Sequence, residues 1–443
     1  MRSALLRDLE HALWNAKPYE LLDTARQVVR RLVDAADAEV LLADYRQSFL
    51  VPALGEGEPV RIDNTYEGHA YAAQQVVQEQ GARPAIHLPL TVHGERIGVL
   101  SVRLPEPRPD GGVDDGVEPG PDGGGESGGV EPRPDGGLDG GGPESGGGPE
   151  SGDGGAEPGD GLKPGGRDAL EAAATVLARA LRIADSNTDL YRRIRRRNRL
   201  TLAAEMQWDL LPGRACETDV FHLAGQLEPA YAVWGDNFDW TVGKDRLTLT
   251  VSNGMGNGTE AAALTHLAIS ALRNARRSGA DIAEQAALAD QTLYAHHRGT
   301  RHVATLLLDF ELETGRVRAI DAGSPNIYRM RGGVTEELDF EAQLPLGMFG
   351  DAHYTTEEFV VEPGDRLVVV SDGVHTAKSA TGELYGAIAL LQTLRDTRLQ
   401  NPSEAVRTFI RQFIAHHQGS DPLDDAVVVC LDWTGKTPVT GDA

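Results

Sequence analysis

Residues 232–264 read AVWGDNFDWTVGKDRLTLTVSNGMGNGTEAAAL, and the reading of the whole chain turns on them. The segment holds a short acidic strand (GDNFD), a turn at Gly243-Lys244-Asp245 and an alternating strand, RLTLTV. A glycine-rich corner, SNGMGNG, then opens directly into an alanine-rich helix. Carboxylates at the end of one strand, beside backbone carbonyls at a glycine corner, suit hard, oxygen-loving divalent cations. Far downstream lie a second acidic cluster, Asp424-Asp425, and an acidic turn, Ser371-Asp372-Gly373. These three pieces are expected to meet in one metal site.

Around this segment, residues 213–435 are rich in short alternating runs: FHLAGQLEPA, HVATLLLDFEL, RVRAIDAG, NIYRM, EEFVVEPG, DRLVVVSDG and AVVVCLDW. Two helical stretches interrupt them early, and further helices are expected at 385–396 and 402–417. Many antiparallel strands with segregated helices predict an α+β fold, a β-sandwich flanked by helices rather than a doubly wound parallel sheet.

The N-terminal part reads differently. Residues 1–37 predict two helices, the first broken near Lys17-Pro18. Strands follow at 39–43, 48–52 and 84–90, with a hairpin, HLPLTVHGERIGVLSVRL, joined at His93-Gly94. Residues 1–104 thus form a small α+β domain. Its polar turn leading into a G-V-L-S-V strand resembles a GAF domain, and that resemblance implies a sensor. No cysteine for a bilin and no cyclic-nucleotide pocket is evident, so the sensor ligand stays unknown. His87 and His93 read as exposed strand and turn residues.

Between the two parts, residues 105–166 are built from near-repeats such as EPRPDGG and GPESGGG. Such a segment has too little apolar surface to offset its ordering entropy and is expected to be a disordered acidic loop inserted in the sensor domain. Residues 106–160 carry fifteen acidic residues and two arginines, so −13 of the net charge of −25 resides there. The folded parts are only moderately acidic, which argues against a nucleic-acid partner. Two cysteines, Cys216 and Cys430, make no disulfide framework. The charged N-terminus predicts no signal peptide, and no run approaches a membrane span, so a cytoplasmic protein is expected.

Residues 167–212 read as a helical linker whose first part closes the sensor domain. Leu170, Ala174, Leu177, Leu181 and Ala184 follow the seam of a coiled coil, predicting a dimer stalk that Pro212-Gly213 ends. The arginine run 192–197 reads as a solvated helix face, and His296-His297 and His416-His417 as helix-end residues. Residues 436–443 form a tail.

EMQWDLLP, EPAYAVWGDNFDW, SNGMGNGTEAA, HVATLLLDFELETGRVRAIDAGSP, LPLGMF, EPGDRLVVVSDGV and DDAVVV stand in the order and spacing of the SpoIIE/RsbU-like branch of the metal-dependent (PPM, type 2C-like) protein phosphatases. This resemblance spans 205–432. It implies an α-β-β-α sandwich and hydrolysis of phosphoserine or phosphothreonine on small STAS (anti-anti-sigma) proteins in sigma factor regulation. The implied cofactor is two Mn²⁺ or Mg²⁺ ions that activate a water, with no protein nucleophile. Matched by motif, the metal ligands are Asp236, Asn253 at the bridging position, the Gly254 carbonyl, Asp372 and Asp425, with Asp239 and Asp424 as additional candidates.

The chain departs from that pattern where the bridging aspartate is Asn253 and two histidines are Asn257 and Ser324; His375-Thr376 replaces a glutamate. Two dications ~4 Å apart repel by roughly 4 kcal/mol even in water, and a neutral amide contributes no charge to offset it. Beside the phosphatase reading stands a second: a pseudophosphatase that captures a phosphoprotein without turning it over. A nucleotide-binding reading of GMGNG fails, because the spacing is G-x-G-x-G and no G-x-x-x-x-G-K-[ST] occurs.

Overall fold

The computed structural model describes residues 2–55, 57–81, 83–105, 162, 165–197, 201–230, 233–323, 325–379, 382–386, 388–417 and 422–436; of residues 2–6 only the backbone is described. The expected disorder of the acidic insertion, the position of Ser324 and nearly all of the tail lie outside these residues.

In the N-terminal domain, α1 (Arg2–Asn15) and α2 (Leu21–Val33) lead into β1 (Asp37–Ala43), β2 (Phe49–Pro52) and β3 (Val60–Arg61). Then come α3 (Tyr66–Ala73), β4 (Val77–Glu79), β5 (Ala85–Val92) and β6 (Glu95–Arg103). The strands form one antiparallel sheet in the order β3-β2-β1-β6-β5-β4. Alternation along β5 sends Ile86, Leu88 and Leu90 to a face covered by α1, α2 and α4 (Gly166–Asp185). The opposite face carries α3, with Leu41, Val99, Ala70 and Tyr71 buried together.

Two linker expectations are corrected here. The predicted coiled-coil seam, Leu170, Ala174, Leu177, Leu181 and Ala184, is buried in the core of its own domain. It is therefore closed to a second chain. The helix also does not run through to Pro212. Ser186 Oγ and Asn187 Nδ2 both donate to the Ile183 carbonyl and end α4. Two shorter helices follow, α5 (Leu190–Arg195) and α6 (Leu202–Leu210). His87, expected to be exposed, is 1% exposed beneath α3, its ring stacked with Tyr66.

The C-terminal domain continues with β7 (Ala215–Glu217), β8 (Phe221–Glu228), β9 (Asp236–Val242), β10 (Arg246–Gly254), α7 (Gly258–Arg277) and α8 (Ile282–His297). After these come β11 (Val303–Glu311), β12 (Arg316–Ala322), β13 (Asn326–Arg331), β14 (Val334–Glu337), β15 (Glu357–Val360) and β16 (Arg366–Val370). The chain closes with α9 (Asp372–His375), α10 (Ala389–Asp396), α11 (Pro402–His416) and β17 (Ala426–Trp433). One sheet has the order β15-β12-β11-β10-β9, the other β14-β13-β16-β17-β8-β7, and every pairing is antiparallel. Their inner faces share one core, in which Phe238, Leu249, Leu308 and Val317 meet Phe221, Leu367, Val429 and Leu431. Helices α7 and α8 pack on the outside of the first sheet through Leu264, Leu272, Ala286 and Leu293. α11 covers the second sheet through Val406, Phe409 and Phe413. The layers are α-β-β-α, as expected, and the whole chain is α+β.

The two domains are locked together by the arginines that the sequence alone placed in solvent. Arg195 Nε donates to the Ala43 carbonyl at 2.9 Å, and Arg196 pairs with Glu205 and Arg192 with Asp209. Tyr45 stacks on Trp208 of α6 with ring centroids 4.7 Å apart. Farther along, Arg96 donates to Glu404 and to Asn401, the N-cap of α11, and Arg407 reaches Asp63.

Candidate metal centre

The site lies where the ends of β9, β10 and β16 meet the start of β17. Antiparallel register places Asn253 opposite Asp236, as a hairpin turning at Gly243 requires. β16 ends at Val370, and Ser371 then exchanges two hydrogen bonds with Val427, which fixes Asp372 at the first residue of α9. Gly373 sits so close to the Asp424-Asp425 backbone that a Cβ there would lie 2.0 Å from the Asp425 carbonyl oxygen. Only glycine lets the SDG turn approach the second acidic cluster. The three sequence segments are thus brought to one place.

Within it the carboxylates do different things. Asp236 is fully buried, and neither carboxylate oxygen has a hydrogen-bond partner of normal geometry. Burial, then the charges of Asp425, Asp372 and Asp424, push its carboxyl well above the usual range, against a smaller pull from the Ser371 hydroxyl. Asp424 is pushed up to about 7, by burial first and by Asp372 next. An orphaned buried carboxylate ringed by others is a costly arrangement that a cation would relieve.

Asp372 and Asn253 face each other: the Asn253 amide donates to Asp372 Oδ1, which also accepts from the Gly373 N–H at 2.9 Å. The Gly254 carbonyl lies against Gly235, next to Asp236; a Cβ on Gly235 would be 2.8 Å from it.

Asp425 is differently employed. Its Oδ1 accepts from Ala230 N–H at 2.8 Å, and its Oδ2 from the N–H groups of Trp234, Gly235 and Asp236 and from Gln207 Nε2 at 2.7 Å. Both oxygens thus accept from the loop before β9, and Oδ2 also from α6. The structure gives Asp425 the work of clamping that loop to β17, and leaves Asp424 as the member of the pair turned toward Asp372. Asp239 is removed from the pit altogether. It is buried, accepts from Arg273 at 2.7 Å and from Arg276 at 3.2 Å, and ties β9 to α7.

Gln207 is the residue that sequence reasoning missed. It is buried on α6, its side-chain amide donates to the Asp236 backbone carbonyl and to Asp425, and its backbone carbonyl accepts from the Asn237 side chain. Its neighbour Trp208 is the residue stacked on Tyr45, so one helix touches both the pit and the N-terminal domain. The only signal was its place in EMQWDLLP, which says nothing of direction.

The donor set, three carboxylates, an amide and a backbone carbonyl, is all oxygen and fits Mg²⁺ or Mn²⁺ rather than a thiophilic metal. Among the described residues no group of three or more His, Cys, Asp or Glu side chains is arranged to hold a metal ion ready-made. His375 lies on α9 beside the pit, with its ring against Gly386.

The C-terminal half is thus a four-layer α-β-β-α sandwich with an acidic pit at the ends of its central strands. Residues 243–434 match the family model for stage II sporulation protein E (SpoIIE). Protein IcfG of Synechocystis sp. is 23% identical over 265 residues, which are 53% of this chain and 42% of that protein, so the chain spans less than half of that relative. The PP2C domain structure of SpoIIE from Bacillus subtilis has 20% identity and a TM-score of 0.43, covering 50% of this chain and 66% of that one. The SiaA PP2C domain of Pseudomonas aeruginosa has 20% identity and a TM-score of 0.45, covering 52% and 94%. Among the described residues no helix is long and apolar enough to cross a membrane.

Proposed function

We propose that this chain is a Mn²⁺- or Mg²⁺-dependent phosphatase acting on phosphoserine or phosphothreonine of a cytoplasmic regulatory protein of the STAS kind. The observation that carries this reading is Asp236, a fully buried carboxylate with two unpartnered oxygens, facing Asp372 and Asp424. Asp236, Asp372, Asp424, the Gly254 carbonyl and the Asn253 amide oxygen would hold the cation, with Asp425 fixing the loop that presents Asp236. A bound divalent cation supplies an acidified water and charge stabilisation for the phosphate oxygens, so no side-chain nucleophile is required. In this reading the N-terminal domain is a GAF-like sensor for an unidentified ligand that governs the site through α6; the support is that Trp208 meets Tyr45 while Gln207 donates to Asp425.

The test is Mn²⁺-dependent hydrolysis of p-nitrophenyl phosphate by the full chain, beside Asp372→Ala and Asn253→Asp. Activity that disappears in Asp372→Ala is expected. An inert wild type that Asn253→Asp awakens would replace this reading by that of a phosphoprotein-binding module.

A further inference from the structure

Arg301 stands just before β11, where that strand runs beside the glycine corner. Gly254 is in register with Val303, and the Met255 N–H donates to the His302 carbonyl at 3.2 Å. The Arg301 guanidinium lies across Gly256: a Cβ on that glycine would be 2.6 Å from Arg301 Nη1. Its other terminal nitrogen pairs with Glu260 in the first turn of α7. The arginine side chain is 34% exposed and the glutamate 73%. A half-buried cation is therefore held over the glycine corner that follows Asn253 and Gly254.

The charge pattern gives that position a purpose. A phosphate monoester is close to a dianion at neutral pH, and it must approach Asp236, Asp372 and Asp424. Asn253 adds no charge of either sign. A planar guanidinium matches phosphate oxygens two at a time, which an ammonium does not. Two other arginines of the helix that carries Glu260 are committed: Arg273 and Arg276 are spent on buried Asp239. The partner of Arg301 is instead a single exposed carboxylate, and such surface pairs are weak enough to be exchanged for another anion.

We propose that Arg301 is a substrate-binding residue that takes the phosphate group at the mouth of the pit, with Glu260 holding its guanidinium in place until phosphate displaces it. This deepens the phosphatase reading and rests on it for the identity of the anion. It is tested on the full chain by calorimetric titration with inorganic phosphate, with and without Mn²⁺, in wild type, Arg301→Ala and Arg301→Lys. Mn²⁺ affinity is measured separately on each. Arg301→Ala is expected to keep its Mn²⁺ affinity and to bind phosphate about tenfold or more weakly, the usual loss for a charged hydrogen-bonding group. Arg301→Lys is expected to recover only part of it, and KM for p-nitrophenyl phosphate is expected to follow the same order. Unchanged phosphate affinity in Arg301→Ala overturns the proposal and leaves Arg301 as a surface ion pair. Failure of the wild type to bind Mn²⁺ overturns the metal reading instead. In that case Arg301 is still judged by metal-free phosphate binding, and a wild type that binds none overturns it as well.

Discussion

Strand β9 holds two buried aspartates three residues apart, Asp236 at its first residue and Asp239 at its middle, that solve the same problem in opposite ways. Asp239 is clasped by Arg273 and Arg276, so its charge is balanced by the protein itself. Asp236 has like-charged neighbours and unpartnered oxygens. A buried charge must be compensated somehow. Asp239 shows a carboxylate used as a structural fastener, and Asp236 a carboxylate whose balance has to come from outside the chain. Burial alone does not distinguish a ligand from a strut; the partner list does.

That contrast can be broken most sharply at Asp239. Asp239→Ala strands two arginines of α7 against β9 and is expected to cost about 3–5 kcal/mol, read from urea unfolding. Asp236→Asn removes an uncompensated charge and is expected to leave the metal-free protein as stable as the wild type or more so. A comparable loss in both variants would erase the distinction. Next in size, Mn²⁺ at one hundred times its dissociation constant is expected to stabilise the wild type by about 2.7 kcal/mol. Thermal unfolding of Asp236→Asn should show none of that gain, whereas a full gain would place the ion elsewhere.

A third carboxylate sharpens the comparison because it stands between the extremes. Glu228, at the end of β8, is buried and pairs with Arg46 of the N-terminal domain at 2.7 Å, yet burial still pushes it up to about 7 from an ordinary 4.5. Its folded-state value is raised, so the stability it contributes is fully present below about pH 4.5 and is lost as pH rises through about 7. Unfolding midpoints collected from pH 4.5 to 8 should therefore decline less steeply in Glu228→Gln; parallel profiles would remove Glu228 from the account. The smallest effect is expected at the domain contact. Tyr45→Ala should cost about 1 kcal/mol of stability, the scale of a stacked aromatic pair. If the N-terminal domain governs the pit through α6, the same variant should also shift Mn²⁺ affinity, and an unaltered affinity would sever that route.

Much of this architecture was legible because strand alternation is a local property. RLTLTV, HVATLLLDFEL and AVVVCLDW each needed only their own residues to be read as β10, β11 and β17. The misreadings all concern what a face is turned toward. The heptad-like spacing of Leu170 to Ala184 was real, but the partner was the domain's own sheet, and the turn-forming Ser186-Asn187 was outweighed by the apparent period. His87 sits on the polar side of an alternating strand, and only the placement of α3 buries it. In Asp424-Asp425 the sequence offers two identical side chains in a row. Nothing local tells which one the amides of a loop 190 residues earlier will capture. Asp239 looked like a ligand by proximity to Asp236, and its arginines lie a helix away.

The clamp made by Asp425 also bears on biosynthesis. β17 is an inner strand, paired with β16 on one side and with β8, some two hundred residues earlier, on the other. Until β17 docks, the loop that carries Asp236 has nothing to accept its amides. A chain emerging from the ribosome can finish its N-terminal domain early, but the pit is assembled only after residue 425 has been made and inserted, and such long-range pairing is intrinsically slow. The acidic centre is therefore completed only after the rest of its own domain has been made. Truncated or stalled chains would carry its residues without its chemistry.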